Sequence, residues 1–130
     1  MNTFRVRIDQ LQPSAPYLSR ARLDTIMSNT AFILKPVAVK ERHGRLCIIE
    51  GHERLLALQT LGLSEVEVYL DDSPPDPALL ETCIELCEKQ GIASILDMED
   101  RLVSLSGYLQ LWIERKREMR RELQQSSMTA

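Results

Sequence analysis

The segment Ile48-Ile49-Glu50-Gly51-His52-Glu53-Arg54 runs from a strand through a single glycine straight into a leucine-rich helix, Leu55-Leu56-Ala57-Leu58. The unpaired N–H groups at a helix start attract anions, and glycine lets a phosphate come close to the backbone. Arg54, in the first helical turn, adds a guanidinium that can grip two phosphate oxygens at once. Glu50 and Glu53 flank the turn, and bare carboxylates repel phosphate. A nucleotide here therefore requires Mg2+ bridging or a base role for one of the two acids. His52 lies in the turn, whereas His43 belongs to a solvated hairpin tip. The bland reading of the same residues is a capped helix start with Arg54 paired to an acid.

Outward from this turn the pattern is regular. Residues 36–40 and 45–50 are apolar runs joined through His43-Gly44, a two-residue hairpin turn in which Gly44 accepts positive φ. Gly62 caps the helix that follows, and Val66, Val68 and Leu70 alternate with polar neighbours as a further strand. Upstream, Phe4-Arg5-Val6-Arg7-Ile8 alternates as a strand, Gln12-Pro13-Ser14-Ala15-Pro16 breaks it, and residues 18–27 form a short helix. The first 70 residues thus read as strand, helix, strand, strand, helix, strand. After the linker Ser73-Pro74-Pro75, Asp76-Pro77 starts a helix that Gly91 stops near residue 90. A longer helix is predicted over 97–123, since Met98, Leu102, Leu105, Leu109, Trp112, Met119 and Leu123 keep three-four spacing. Only Lys116 interrupts that seam. Residues 125–130 are small and polar and are predicted to fray.

A length of 130 residues allows one domain core and no second one. Hydrophobic residues at 44% and charged residues at 27% place the chain among globular proteins rather than disordered ones. The net charge of −3 disfavours a generic DNA binder that coats phosphates. The charge is uneven: residues 71–100 hold nine acidic residues against one lysine, and residues 101–130 hold six basic against three acidic. In that basic end Arg115, Lys116, Arg117, Arg120 and Arg121 interleave with Glu114, Glu118 and Glu122, the pattern of a solvated helix face. Three cysteines fit reduced thiols, and Cys83 and Cys87 have no third ligand at zinc spacing. The first twenty residues have no signal-peptide core, and no apolar run is long enough to span a membrane, so a cytoplasmic location is expected.

Over residues 5–72 the chain resembles the ParB/sulfiredoxin-like superfamily, which includes the ParB-like nuclease domains. The resemblance rests on Val6-Arg7-Ile8, the Pro13-Ser14 break, Leu34-Lys35-Pro36-Val37-Ala38-Val39, Gly51-His52-Glu53-Arg54-Leu55-Leu56-Ala57-Leu58 and Leu61-Gly62-Leu63, in that order. In the superfamily's partition proteins the equivalent turn reads Gly-Glu-Arg-Arg-x-Arg and contacts the triphosphate of CTP. Only Gly51 and Arg54 match; Glu53 and Leu56 stand at the other arginine positions. Sulfiredoxins carry a catalytic cysteine in a Gly-Cys-His-Arg turn, where this chain has His52. Glu50-Gly51-His52-Glu53-Arg54 looks most like a third branch, Asp-Gly-His-His-Arg, which includes nucleotide-dependent kinases of small molecules.

The resemblance implies an α+β fold with a small mixed sheet: a core over 1–72, two additional C-terminal helices over 73–124 in the same domain, and a frayed tail over 125–130. It implies binding of a nucleotide phosphate (CTP, ATP or ADP, with Mg2+) by Gly51, His52, Glu53 and Arg54, with Glu50 as metal ligand or catalytic base. Arg20 joins the candidates because it follows the segment that closes over the ligand in relatives, whereas Lys35 reads as a solvated lysine at the start of a strand. A role in plasmid or chromosome maintenance follows from the same resemblance, with DNA as a partner although no helix-turn-helix is expected. The alternatives are a Mg-dependent nucleotide hydrolase, small-molecule kinase or nuclease, or a non-catalytic adaptor that forms a homodimer through the 97–124 helix.

Overall fold

Alternating apolar residues build a sheet, and the sheet places everything else. The computed structural model describes residues 2–129. Its strands are β1 (Phe4–Arg7), β2 (Leu18–Ser19), β3 (Val37–Arg42), β4 (Arg45–Ile48), β5 (Glu65–Leu70) and β6 (Leu102–Val103). Its helices are α1 (Arg20–Met27), α2 (Thr30–Ile33), α3 (His52–Thr60), α4 (Pro77–Lys89), α5 (Leu105–Tyr108) and α6 (Glu114–Thr129). The main sheet has the order β1-β5-β3-β4. It is mixed: β5 runs antiparallel to β1 but parallel to β3, with Val68 opposite Phe4 on one side and Val37 on the other. The β3–β4 hairpin turns through His43 and Gly44 at φ of 53° and 76°. Both central residues are left-handed, as a primed hairpin turn requires.

Val37, Val39, Ile48, Val66 and Val68 join Leu55 and Leu58 of α3 in the principal core. Beyond β1 the chain returns to the sheet at Gln12, whose N–H donates to Leu46 O at 3.0 Å and whose carbonyl accepts from Ile48 N at 2.8 Å. The Gln12 side chain donates to Ile92 O at 2.8 Å and accepts from Arg45 at 2.6 Å, which ties residues 92–93 to the same edge. Arg42, with a side chain only 13% exposed, docks α4 through Glu81 at 2.8 Å and Glu88 at 3.2 Å. Those two carboxylates raise its pKa despite burial. A second core joins Ala15, Leu79, Cys83, Tyr108, Trp112 and Met119, so α4 and the C-terminal helix close against the segment before β2.

The C-terminal half departs from the sequence reading. The helix predicted from residue 97 starts at Leu105; residues Ile95–Arg101 form 3-10 turns and Leu102–Val103 pair in parallel with β2. Two serines explain the break. Ser94 and Asp97 form a reciprocal capping box, and the Ser104 hydroxyl accepts from Gly107 N at 3.1 Å. Gly107 therefore lies in a first turn and not in mid-helix. From Leu105 the helix passes through a π-helical turn, Leu109–Ile113, into α6, which runs to Thr129, past residue 124 where fraying was expected. The apolar seam also splits. Tyr108, Trp112 and Met119 are buried within their own chain, whereas Leu105 and Leu109 stay 51% and 46% exposed. Of the predicted seam, Trp112 and Met119 thus serve the intramolecular core, while Leu105 and Leu109 remain at the surface. Among the described residues, no helix is long and apolar enough to cross a membrane.

The Ser104 cap makes one expectation: Ser104→Ala should lower stability by about 1 kcal/mol in urea denaturation, with the folded-state CD spectrum retained.

Candidate functional site

Gly51 ends the β4 connection at φ 97° and ψ 22°, a left-handed conformation that turns the chain from the sheet into α3. A Cβ there would lie 3.0 Å from Arg54 Nη2, so the guanidinium rests against the bare glycine. Arg54 Nη1 donates to Lys35 O at 2.9 Å and Pro36 O at 3.3 Å, fastening α3 to the start of β3. The bland expectation of Arg54 paired to an acid is not what forms. Glu50 is exposed, and its carboxylate takes no partner among the described residues.

His52 and Glu53 point the other way and are buried. His52 Nε2 accepts from the Ser14 backbone N at 2.9 Å, and Ser14 Oγ donates to Ile48 O at 2.5 Å. A nitrogen that accepts from an amide must be unprotonated, so His52 is a neutral imidazole with its proton on Nδ1. Burial drives its pKa down to about 3, helped by the positive charges of Lys116 and Arg22. Glu53 Oε2 accepts from Ser19 N at 3.1 Å, holding the start of α1. These two side chains position the turn, and their hydrogen-bonded atoms are committed to the fold.

Above the turn lies a cleft of about 540 Å3. Its floor is Gly51 with Glu50 and Arg54; its walls are Arg22 and Ile26 of α1, Lys35, and Tyr108, Trp112 and Lys116 of the C-terminal helix. Four cations, Arg22, Lys35, Arg54 and Lys116, thus face two carboxylates, Glu50 and Glu53. Arg22 Nη1 donates to Tyr108 Oη at 3.3 Å, and Lys116 lies 5.8 Å from the Trp112 ring centroid. Burial and the charge of Glu53 raise the Tyr108 pKa, so the phenol stays protonated.

The structure gathers Glu50, Gly51, His52, Glu53 and Arg54 at this cleft but leaves Arg20 outside it. Arg20 is the first residue of α1 and exposed. Two residues along a helix turn by about 200°, which puts Arg22 on the cleft side instead. Tyr108 and Lys116 were missed altogether, although Lys116 carries a legible mark as the one charge interrupting an apolar seam. Among the described residues, no three His, Cys, Asp or Glu side chains converge as a metal site. All three cysteines are free and buried; burial pushes Cys83 up to about 11 and Cys87 up to about 12, so neither is a ready thiolate.

The buried neutral imidazole carries a pH signature. Below its ordinary pKa of 6.5 the unfolded chain takes a proton that folded His52 refuses until about pH 3, so stability is lost as pH falls through this window. Wild-type stability should drop by about 2 kcal/mol between about pH 7 and pH 5, and His52→Gln, which keeps an acceptor but cannot titrate, should flatten that slope. Gly51→Ala should cost about 1 to 2 kcal/mol in the same denaturation assay, from the left-handed backbone.

No protein-family model and no curated protein matches the chain. Solved structures do. Free serine kinase in complex with AMP superposes with a TM-score of 0.50 at 21% identity, over 58% of this chain and 33% of that one. A mutant form of the same kinase in complex with ADP gives 0.50 and 21%, over 58% and 34%. Protein Atu1540 from Agrobacterium tumefaciens gives 0.52 at 16% identity, over 76% of this chain and 62% of that one. The chain spans about a third of the length of the kinase structures it matches. With its mixed sheet ordered β1-β5-β3-β4 and a glycine turn leading into α3, the chain has the ParB/sulfiredoxin-like α+β fold.

Proposed function

We propose that this protein binds a nucleotide through its phosphates in the cleft over Gly51. The observation that carries the reading is the convergence of four cations from separate parts of the chain on one helix N-terminus. Arg22 comes from α1, Lys35 precedes β3, Arg54 sits on α3 and Lys116 on α6. Glycine at the same point opens the backbone to close approach. Free serine kinase, whose fold this chain shares, has been solved with AMP and with ADP.

In this reading Arg54 offers Nε and Nη2 to phosphate oxygens while Nη1 stays on the backbone of Lys35. Lys116 and Arg22 close over the phosphates from the opposite wall, held there by Trp112 and Tyr108. His52 acts indirectly: it fixes Ser14 and the turn and stays neutral, so it is a positioning residue. Mg2+ fits only as part of a metal–phosphate complex. Glu50 is its single open carboxylate in the cleft, since Glu53 is committed to Ser19. The metal, when bound, would screen charge between the phosphates and Glu50.

Titration calorimetry of ATP, ADP, AMP and CTP, with and without Mg2+, tests the reading. Wild type should show saturable binding to at least one of them. Lys116→Met and Arg22→Met should each weaken it by about tenfold or more while leaving the CD spectrum intact. Absence of saturable binding to every nucleotide by folded wild-type protein would overturn it.

A further inference from the structure

A nucleotide held by its phosphates over Gly51 still has a base and a ribose to bury. Both aromatic rings of that cleft are themselves buried and spent on cations, Tyr108 on Arg22 and Trp112 on Lys116. No aromatic face is left there for a base. Its one open carboxylate, Glu50, has the metal as its partner in the nucleotide complex.

A second cavity of about 330 Å3 adjoins the cleft and shares Ser14, Ile49, Glu50 and Lys116 with it. That volume falls at the lower end of small-molecule sites, about 300 to 1,000 Å3. Tyr69 of β5 lines it, half-buried, and the phenol has no hydrogen-bond partner among the described residues. Leu79 and Leu80 of α4 give it an apolar surface, and Pro74-Pro75 closes one side. Asp71 accepts from Ser73 N through Oδ1 at 3.0 Å, while its Oδ2 has no partner among the described residues. The other charges are matched or shared. Asp76 caps α4 through Leu79 N and lies 3.5 Å from Arg120 Nε, so that acid and that cation answer each other. Lys116 stands between the two cavities and lines both.

From this placement, and resting on the nucleotide reading above, we infer that the second cavity is the nucleoside subsite and that the ligand is a ribonucleotide lying across both cavities. Its phosphates stay over Gly51. Lys116, between the two, meets the phosphate nearest the sugar and so serves both sides at once. Asp71 Oδ2 accepts from a ribose hydroxyl, a charge-assisted bond and a recurring device of nucleotide sites. The base lies against Tyr69 and the Leu79-Leu80 surface, where its faces are shielded from water. No bond forms or breaks in this assignment. Its consequence is selectivity: the cations over Gly51 treat every polyphosphate alike, and the second cavity separates ribonucleotides from ligands that lack the sugar hydroxyls or the base.

Calorimetry on the full chain tests this with ATP, CTP, their 2′,3′-dideoxy forms and inorganic tripolyphosphate, each with Mg2+. Whichever of ATP and CTP binds wild type more tightly should exceed its dideoxy form and tripolyphosphate by about tenfold or more. Asp71→Ala should weaken that ribonucleotide by about tenfold and leave the dideoxy form and tripolyphosphate within about twofold, so that discrimination at the sugar disappears. Leu80→Trp, which fills the cavity, should bring the ribonucleotide down to the affinity of tripolyphosphate, itself unchanged. Both variants should keep the wild-type CD spectrum. Equal binding of ribonucleotide, dideoxy form and tripolyphosphate by wild type overturns the subsite and leaves the phosphate reading standing. Discrimination that survives Asp71→Ala and Leu80→Trp does the same. Absence of saturable binding by every one of these ligands removes both readings together.

Discussion

The hydrogen bond from Ser14 N to a neutral His52 is the constraint on which the site depends. It joins the irregular segment after β1 to the first turn of α3, two parts of the chain 38 residues apart. Ser14 Oγ then holds the end of β4 through Ile48 O, so one residue ties the strand, the glycine turn and the helix start together. Ala15, next to it, enters the second core beside Trp112. The tether therefore fixes the cleft floor and also decides where the C-terminal helix can lie. An imidazole buried without a charge is what permits this, since a protonated ring would donate where it must accept.

The C-terminal helix completes the cleft and does more than decorate the core. Tyr108 holds Arg22, Trp112 carries Lys116, and both aromatic rings are buried against α4 and the Ala15 segment. Long cationic side chains lose much rotamer freedom when a ligand orders them, and an aromatic neighbour that restrains them beforehand lessens that loss. The acidic stretch after residue 70 has a structural use of its own in Glu81 and Glu88, which pair with Arg42 and hold α4 in place.

Much of this was legible in the sequence where local chemistry leaves one choice. Gly51 must be left-handed for a strand to turn so sharply into a helix, and His43-Gly44 closes a hairpin of one recognisable kind. Other parts depended on information that spacing lacks. Met98 and Leu102 fit the phase of a long helix, yet Met98 is buried from a 3-10 turn and Leu102 half-buried from a two-residue strand. Apolar spacing records burial and not the conformation that achieves it. Ser94 and Ser104 carried the correct boundary, but a capping serine looks like any other until the helix beyond it is known. That Arg22 and not Arg20 faces the cleft depends on the rotational phase of α1, which a weakly amphipathic helix does not declare.

The π-helical turn at Leu109–Ile113 has a consequence for how this wall can change. Tyr108, Trp112 and Lys116 follow one another at four-residue steps, and the wide turn absorbs the angular excess that such steps accumulate in a regular α-helix. The turn behaves as a one-residue insertion locked in place. Removing one residue within it would restore a regular α-helix and leave Lys116 and Met119 close to their present directions, whereas adding one would rotate everything downstream by about 100°. The wall thus tolerates a shortening by one residue at this turn more readily than a lengthening. A helix lengthened there with every charged residue retained would present a different cation to the cleft, or none.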